Sequence, residues 1–136
     1  MQINKNNSYS LIEIIVIIII ISISAAFVFQ NYSRSKERAK ERTANLNLVE
    51  IHSAALIHES NHSEFPQSGD LDHINSTLNL KIKDKDFTYY FESSGYSYIA
   101  TADRLGDLYK LTVTEADLNN NNPTCSDGKN KCPSKF

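Results

Sequence analysis

Glycine and proline are absent from the first 65 residues of this chain, and Pro66 is the first residue that firmly breaks a helix. Without an earlier breaker, the sequence predicts one helix from Tyr9 to about His62, roughly 80 Å long at ~1.5 Å per residue. The remaining residues are too few to cover such a rod as a globular core. Its first half is therefore expected to lie in a membrane or among neighbouring subunits.

Cysteine is also scarce, since the chain has only two, Cys125 and Cys132. Their spacing is unlike the Cys-x-x-Cys clusters of zinc sites and indicates a single local disulfide in an exported segment. Net charge is small as well, because the formal value of -2 gives no global attraction to nucleic acid or anionic lipid. In the stretch 81–86 the lysines are balanced by aspartates, so a nucleic-acid partner is not supported.

One long apolar run is present, and it lies close to the N-terminus. Between Leu11 and Phe29 the only charged residue is Glu13. As a helix this segment spans roughly 28 Å, close to the ~30 Å hydrocarbon thickness of a bilayer. Because a backbone in lipid must satisfy its own hydrogen bonds, a helix is the only solution for a single segment. The sequence therefore predicts a transmembrane helix.

A cleaved secretory signal peptide is an alternative interpretation of this run, since the small residues between Ser22 and Ala26 could imitate a cleavage site. Glu13 argues against it. An acidic residue in a spanning helix costs a few kcal/mol toward the bilayer centre, and no signal sequence needs one. Either a partner group compensates this carboxylate, or it is an accidental interfacial residue that the helix dipole tolerates.

The string Ser8-Tyr9-Ser10-Leu11-Ile12-Glu13 resembles the prepilin signature of the type IV pilin and type II secretion pseudopilin family. In that family a polar leader ends in a small residue, usually glycine, followed by an aromatic residue and by glutamate as the fifth mature residue. The resemblance implies that prepilin peptidase cleaves between Ser8 and Tyr9 and that Tyr9 becomes N-methylated. It also implies that Glu13 drives assembly by meeting the N-terminal amine of a neighbouring subunit. Serine here replaces the usual glycine, and tyrosine replaces the usual phenylalanine.

The fold class implied by this resemblance is α+β, a pilin-like lollipop. One long N-terminal helix, transmembrane in its first half, is expected to pack on a small antiparallel sheet with a C-terminal disulfide loop. The expected divisions are a leader at 1–8, the transmembrane or assembly half of the helix at 9–33, its amphipathic half at 34–65, and a globular head at 66–136, with the sheet at about 87–113 and the loop at 115–136.

Hydrophobic periodicity predicts which parts of the head pack together. In the amphipathic half, one helical stripe is predicted to pack on the sheet, formed by Leu46, Val49, Ser53 and Ile57 and widened by Ala54 and Leu56. A brief helix or loop is expected around Ile74. Aromatic and β-branched residues predict three antiparallel strands in a meander, at 87–91, 96–101 and 108–113. The alternating aromatic residues are interpreted as sheet packing and not as a ligand platform, namely Phe87, Tyr89, Phe91, Tyr96 and Tyr98.

The basic cluster at 34–42 is interrupted by Glu37 and Glu41, which predicts a solvated helix face with pairs such as Arg34–Glu37 and Arg38–Glu41. The cluster also raises a conflict over topology. The positive-inside rule would place the large domain in the cytoplasm. We expect the domain outside the cytoplasm, because the pilin family exports it and the cysteine pair suits an oxidising compartment.

Two other chemistries have partial motifs. His58-Glu59-x-x-His62 matches the zinc metalloprotease pattern, so a membrane-anchored protease is a rival interpretation, although no third histidine follows at a known spacing. A fortuitous surface zinc site without catalysis is the other alternative for this motif. Oxygen ligands for calcium occur at Asp117, Asn119 and Asp127, without a recognisable spacing. We expect no catalytic residue, no bound metal and no cofactor.

The function that the resemblance implies is a structural subunit of a type IV pilus or pilus-like filament, and not an enzyme, with a type II secretion pseudopilin as the alternative. The implied partners are identical or related pilin subunits in a helical homopolymer, prepilin peptidase, an assembly platform and its ATPase, and the membrane before assembly. The implied location is the bacterial cytoplasmic membrane for the precursor, with the head outside the cytoplasm, and a cell-surface or periplasmic filament after assembly.

Overall fold

The computed structural model describes residues 10–106, 109–116, 123–126 and 132. The chain divides into two compact units, residues 1–36 and residues 37–136. One helix, α1, runs from Leu11 to His62 and contributes residues to both units. The helix ends at His62, as predicted from the absence of glycine and proline before Pro66. In the first unit the described residues after Ser10 are all helical.

In the second unit the described residues form a short helix and a five-stranded antiparallel sheet in the order β1-β2-β3-β4-β5. The elements are β1 (Gly69–Asp70), α2 (Leu71–Thr77), β2 (Phe87–Ser93), β3 (Tyr98–Arg104), β4 (Lys110–Thr114) and β5 (Thr124–Ser126). The three predicted strands are confirmed as β2, β3 and β4. The two short outer strands and the extension of β3 to Arg104 were not predicted.

The core of the second unit lies between the C-terminal part of α1 and one face of the sheet. Side chains alternate along each strand, so every second residue enters this core. On the sheet these residues are Phe87, Tyr89, Phe91, Tyr98, Ala100, Ala102, Leu111 and Val113. The predicted aromatic packing is therefore confirmed for β2 and for Tyr98. Tyr96 is an exception, because it lies before β3 and is 89% exposed.

The face of α1 that is buried differs from the predicted one. Fully buried helix residues are Ala44, Leu48, Ile51 and Ala55, which follow one another at spacings of three and four. The predicted stripe is wrong at Leu46, which is 70% exposed, at Ile57, which is 64% exposed, and at Ser53, which is exposed. Its other members are partly buried, namely Val49, Ala54 and Leu56, and Leu56 packs against the core. Both stripes have helical periodicity. The buried one begins and ends with alanine, and a small side chain lets a helix lie close to a sheet.

Local hydrogen bonds define where α1 ends and where α2 begins. At the end of α1, the Ser63 N–H donates to the Glu59 carbonyl at 2.7 Å, and Ser63 adopts a left-handed φ of 61° that turns the chain out of the helix. The helix α2, predicted as a brief helix, is capped by the Asp70 carboxylate, which accepts from the His73 N–H at 3.1 Å.

Candidate functional site

Glu13 lies in the first turn of α1, where its carboxylate turns back toward the start of the helix. The Ser10 N–H donates to Glu13 Oε2 at 2.9 Å, while the Glu13 N–H donates to the Ser10 carbonyl at 2.9 Å. This is half of a capping box, and it satisfies a backbone donor that the helix itself leaves unpaired. The positive end of the helix dipole also favours a negative charge here. Local geometry thus gives Glu13 a defined position.

The apolar residues that follow Glu13 are exposed in the first unit. None of the apolar window of α1 is buried, and this helix is long and apolar enough, by length and composition, to cross a membrane. The exposed side chains include Leu11, Ile12, Ile14, Ile15, Val16, Ile17, Ile18, Ile19, Ile20, Ile21, Ile23, Phe27, Val28 and Phe29. A soluble monomer would leave a large apolar surface in water, which normally marks a membrane or protein contact.

The polar residues within this apolar segment satisfy their hydrogen-bonding groups on the same helix. Ser22 Oγ donates to the Ile18 carbonyl at 2.7 Å, and Ser24 Oγ donates to the Ile20 carbonyl at 2.8 Å. Such bonds let a hydroxyl enter hydrocarbon without an unpaired donor. The helix continues unbroken through Ser22 to Ala26, the residues that imitate a signal-peptide cleavage site.

A charged cluster joins α1 to the sheet in the second unit. Arg104 at the end of β3 donates to Glu37 through Nε at 3.1 Å and through Nη2 at 3.0 Å. Its Nη1 donates to the backbone carbonyl of Asp86 at 2.8 Å, and Lys40 Nζ lies 2.8 Å from Asp86 Oδ1. We call these four residues the charged clamp. Glu37 therefore pairs with Arg104 and Lys40 and not with Arg34, so the predicted solvated face is wrong at this residue.

The charged clamp shifts the protonation of its members in the directions expected for ion pairs. The hydrogen bonds from Arg104 lower the pKa of Glu37, and the hydrogen bond from Lys40 lowers the pKa of Asp86. In return Asp86 raises the pKa of Lys40, and Glu37 raises the pKa of Arg104. All four groups are thus held in their charged forms, and the clamp fixes this part of α1 on the sheet.

Two further polar contacts lie between α1 and the sheet. Tyr89 Oη donates to Asp84 Oδ2 at 2.7 Å and accepts from Asn47 Nδ2 at 2.8 Å, and burial together with this contact to Asp84 raises the pKa of Tyr89. The buried His52 Nδ1 is hydrogen-bonded to Tyr98 Oη. These residues belong to the packing of the second unit. Sequence periodicity missed the pairs Asn47–Tyr89 and His52–Tyr98, because their members are 42 and 46 positions apart in the chain.

The predicted disulfide between Cys125 and Cys132 is present. Cys125 lies in β5 opposite Leu111 of β4, and Cys132 is fully buried against the core. The disulfide therefore ties Cys132 to the edge of the sheet. The possible calcium ligands Asp117, Asn119 and Asp127 lie outside the described residues, as do Ser8 and Tyr9 at the expected cleavage site.

The protease-like pair, His58 and His62, is in the last turns of α1. Their rings stack with centroids 4.2 Å apart and planes inclined at 19°. Within the part of the chain that the structure describes, no group of three or more His, Cys, Asp or Glu side chains is placed to hold a metal ion. A catalytic zinc site ordinarily uses three protein ligands.

Comparisons of the chain with protein-family models, with curated proteins and with solved structures found no match.

Proposed function

We propose that this chain is a structural subunit of a type IV pilus or pilus-like filament. The observation that carries the proposal is Glu13, the one charged side chain in the apolar segment from Leu11 to Phe29, with which a helix long and apolar enough to span a membrane begins. Its distance along the chain from Ser8 matches the prepilin signature. An exposed apolar helix of this length requires either lipid or other subunits around it, and a filament subunit uses each in turn.

The chemistry of assembly follows from cleavage between Ser8 and Tyr9. Cleavage creates an amine on Tyr9 at the end of the apolar helix, and that amine carries a positive charge. In the filament the Glu13 carboxylate of an incoming subunit meets the Tyr9 amine of its neighbour, so two charges that are costly in lipid compensate each other. The contact between Glu13 and the Ser10 N–H occupies only part of the carboxylate, which has about four acceptor positions.

The proposed filament subunit begins as a membrane-inserted precursor and depends on processing and assembly partners. The precursor lies in the bacterial cytoplasmic membrane, with residues 37–136 outside the cytoplasm, where Cys125 and Cys132 form their disulfide. Prepilin peptidase removes residues 1–8, and an assembly platform with its ATPase adds the subunit to a helical homopolymer at the cell surface or in the periplasm. A pseudopilin of a type II secretion system has the same processing and packing chemistry and is the alternative within this class.

The assembly step is tested by Glu13→Val in cells that contain the native assembly system. The variant keeps an apolar helix and is expected to accumulate in the membrane at normal levels while its amount in sheared filaments falls to background. Glu92→Gln removes an exposed carboxylate from β2 and is the matched control, with normal incorporation expected. Normal incorporation of Glu13→Val would contradict the proposed role of Glu13.

A further inference from the structure

The stacked histidines near the end of α1 have their Nδ1 atoms fixed by backbone carbonyls. His58 Nδ1 lies 3.2 Å from the Glu64 carbonyl, and His62 Nδ1 lies 3.0 Å from the His58 carbonyl. A carbonyl oxygen only accepts, so each Nδ1 carries the proton and donates. In the neutral ring Nε2 then holds the free lone pair, which is the atom that binds a metal ion. Backbone contacts thus select the same metal-binding tautomer in both rings.

The backbone that supplies one of these carbonyls is itself held in place. Ser63 leaves the helix in a left-handed conformation and bonds back to Glu59. Phe65 and Pro66 are buried, and the Phe65 N–H donates to the Gly95 carbonyl at 3.1 Å. The Glu64 carbonyl between these two anchored positions is therefore preorganised to orient the His58 ring. Outer contacts of this kind are what orient metal-binding histidines in known sites.

His58 and His62 lie one helical turn apart on α1, the spacing at which two histidines on one face can share an ion. A Zn–N bond is about 2.0–2.1 Å long, so two nitrogens on one ion are separated by at most about twice that length. The rings of His58 and His62 stack with planes inclined at 19°, so lone pairs lying in these planes converge on one ion only after the rings turn toward each other. His62 is exposed and His58 is partly exposed, which leaves the pair open to solvent. Glu59 and Glu64 add negative charge nearby in the chain.

We propose that His58 and His62 bind one divalent transition-metal ion of the zinc and copper class through their Nε2 atoms. The protein supplies two ligands and water fills the other positions, so the ion binds reversibly and copper binds more tightly than zinc. Magnesium and calcium, which prefer oxygen ligands, do not compete. This binding site goes beyond the filament function and requires no catalysis.

The test is calorimetric titration of Zn²⁺ into the full-length protein in detergent, prepared without a polyhistidine tag. One saturable site per chain is expected. His58→Ala and His62→Ala each weaken binding at least about tenfold, since loss of a ligand exceeds the loss of an outer contact. The matched control is His73→Ala, which removes an exposed histidine from α2 and leaves zinc affinity unchanged.

Electron paramagnetic resonance of the Cu²⁺-loaded protein counts the nitrogen ligands directly. Two imidazole nitrogens are expected in the wild-type protein and one in His62→Gln. Because His62 is exposed, this variant is expected to retain the fold. Zinc binding that is unchanged in both alanine variants, no saturable binding below millimolar Zn²⁺, or a copper spectrum with fewer than two nitrogens in the wild-type protein would each overturn the proposal.

Discussion

At the scale of single residues, the second unit depends on which face of α1 enters the core. Two stripes on this helix have apolar residues at helical spacing, and one is fully buried while the other is exposed at Leu46, Ser53 and Ile57. Leu48 and Ile51 are fully buried, with Ala44 and Ala55 on either side of them. Leu46, two residues before Leu48, is 70% exposed. The two leucines therefore have opposite environments within one turn of helix.

Leu48→Ala is expected to lower the free energy of unfolding of the second unit by about 2–5 kcal/mol, because it leaves a cavity between the helix and the sheet. The measurement is a urea titration of the full-length protein in detergent, followed by the near-ultraviolet circular dichroism of the tyrosines. Leu46→Ala is the control on the other face and is expected to change the value by less than about 0.5 kcal/mol. Equal losses in the two variants would mean that the buried face is assigned wrongly.

Hydrophobic periodicity could not predict this choice, for a physical reason. It recognises the spacing of large apolar residues, whereas the buried stripe contains two alanines and is accompanied by the buried polar residues Glu41 and His52. These residues weaken the apolar signal of the face that the sheet covers. Leu46 and Ile57 gave a stronger signal on the face that stays exposed.

At the scale of elements, the charged clamp connects α1 with the end of β3 and with Asp86, the residue before β2. Arg104 and Glu37 are separated by 67 positions in the chain, and they meet only because β3 ends beside the helix. Arg104 also lies over the ring of Phe87, with its guanidinium carbon 5.6 Å from the ring centroid. The clamp therefore depends on the antiparallel register that pairs Phe87 with Arg104.

Arg104→Gln is expected to lower the free energy of unfolding by about 1–3 kcal/mol, the usual range for lost hydrogen bonds to a charged group. It is also expected to change the pH dependence. Pairing lowers the pKa of Glu37 and Asp86 below their ordinary values of 4.5 and 3.8. The stabilisation from these carboxylates is present above those values and is lost as the pH falls through the lowered ones.

The thermal midpoint, measured from pH 7 down to pH 3, checks this expectation. The wild-type protein should lose stability steeply below about pH 4.5, and Arg104→Gln should lose less over the same interval because its carboxylates are less strongly paired. Lys110→Gln is the control, since it breaks an ion pair with Asp103 in which the lysine is 58% exposed. Parallel curves for the wild-type protein and Arg104→Gln would contradict the role of the clamp.

Element boundaries were predictable where local chemistry decides them. Pro66 and the lack of earlier breakers predicted the end of α1 near His62, and alternation of aromatic residues predicted the three central strands. The outer strands β1 and β5 were not predictable, because they contain two and three residues and are ordered by their neighbours. The charged clamp was also missed, because helix spacing alone nominated Arg34 as the partner of Glu37.

At the scale of the whole molecule, one helix contributes both to a unit with an exposed apolar surface and to a unit with its own core. The first unit has the chemistry of a membrane or assembly segment, and Glu13 is the only charged residue in its apolar part. The second unit has a sheet, a disulfide and a charged clamp that stabilise it independently of lipid. The filament proposal assigns anchoring and assembly to the first unit and the outer surface of the fibre to the second.

The central claim is that cleavage creates an amine on Tyr9 and thereby makes Glu13 the fifth residue of the processed chain. Measurement of the protein's mass tests this claim most directly. The full-length protein is purified from the membrane of cells that contain prepilin peptidase, and its intact mass and N-terminal peptide are measured. The account predicts loss of residues 1–8 and a Tyr9 N-terminus carrying one methyl group, an addition of about 14 Da. Retention of residues 1–8, or a new N-terminus after Ala26, would contradict it.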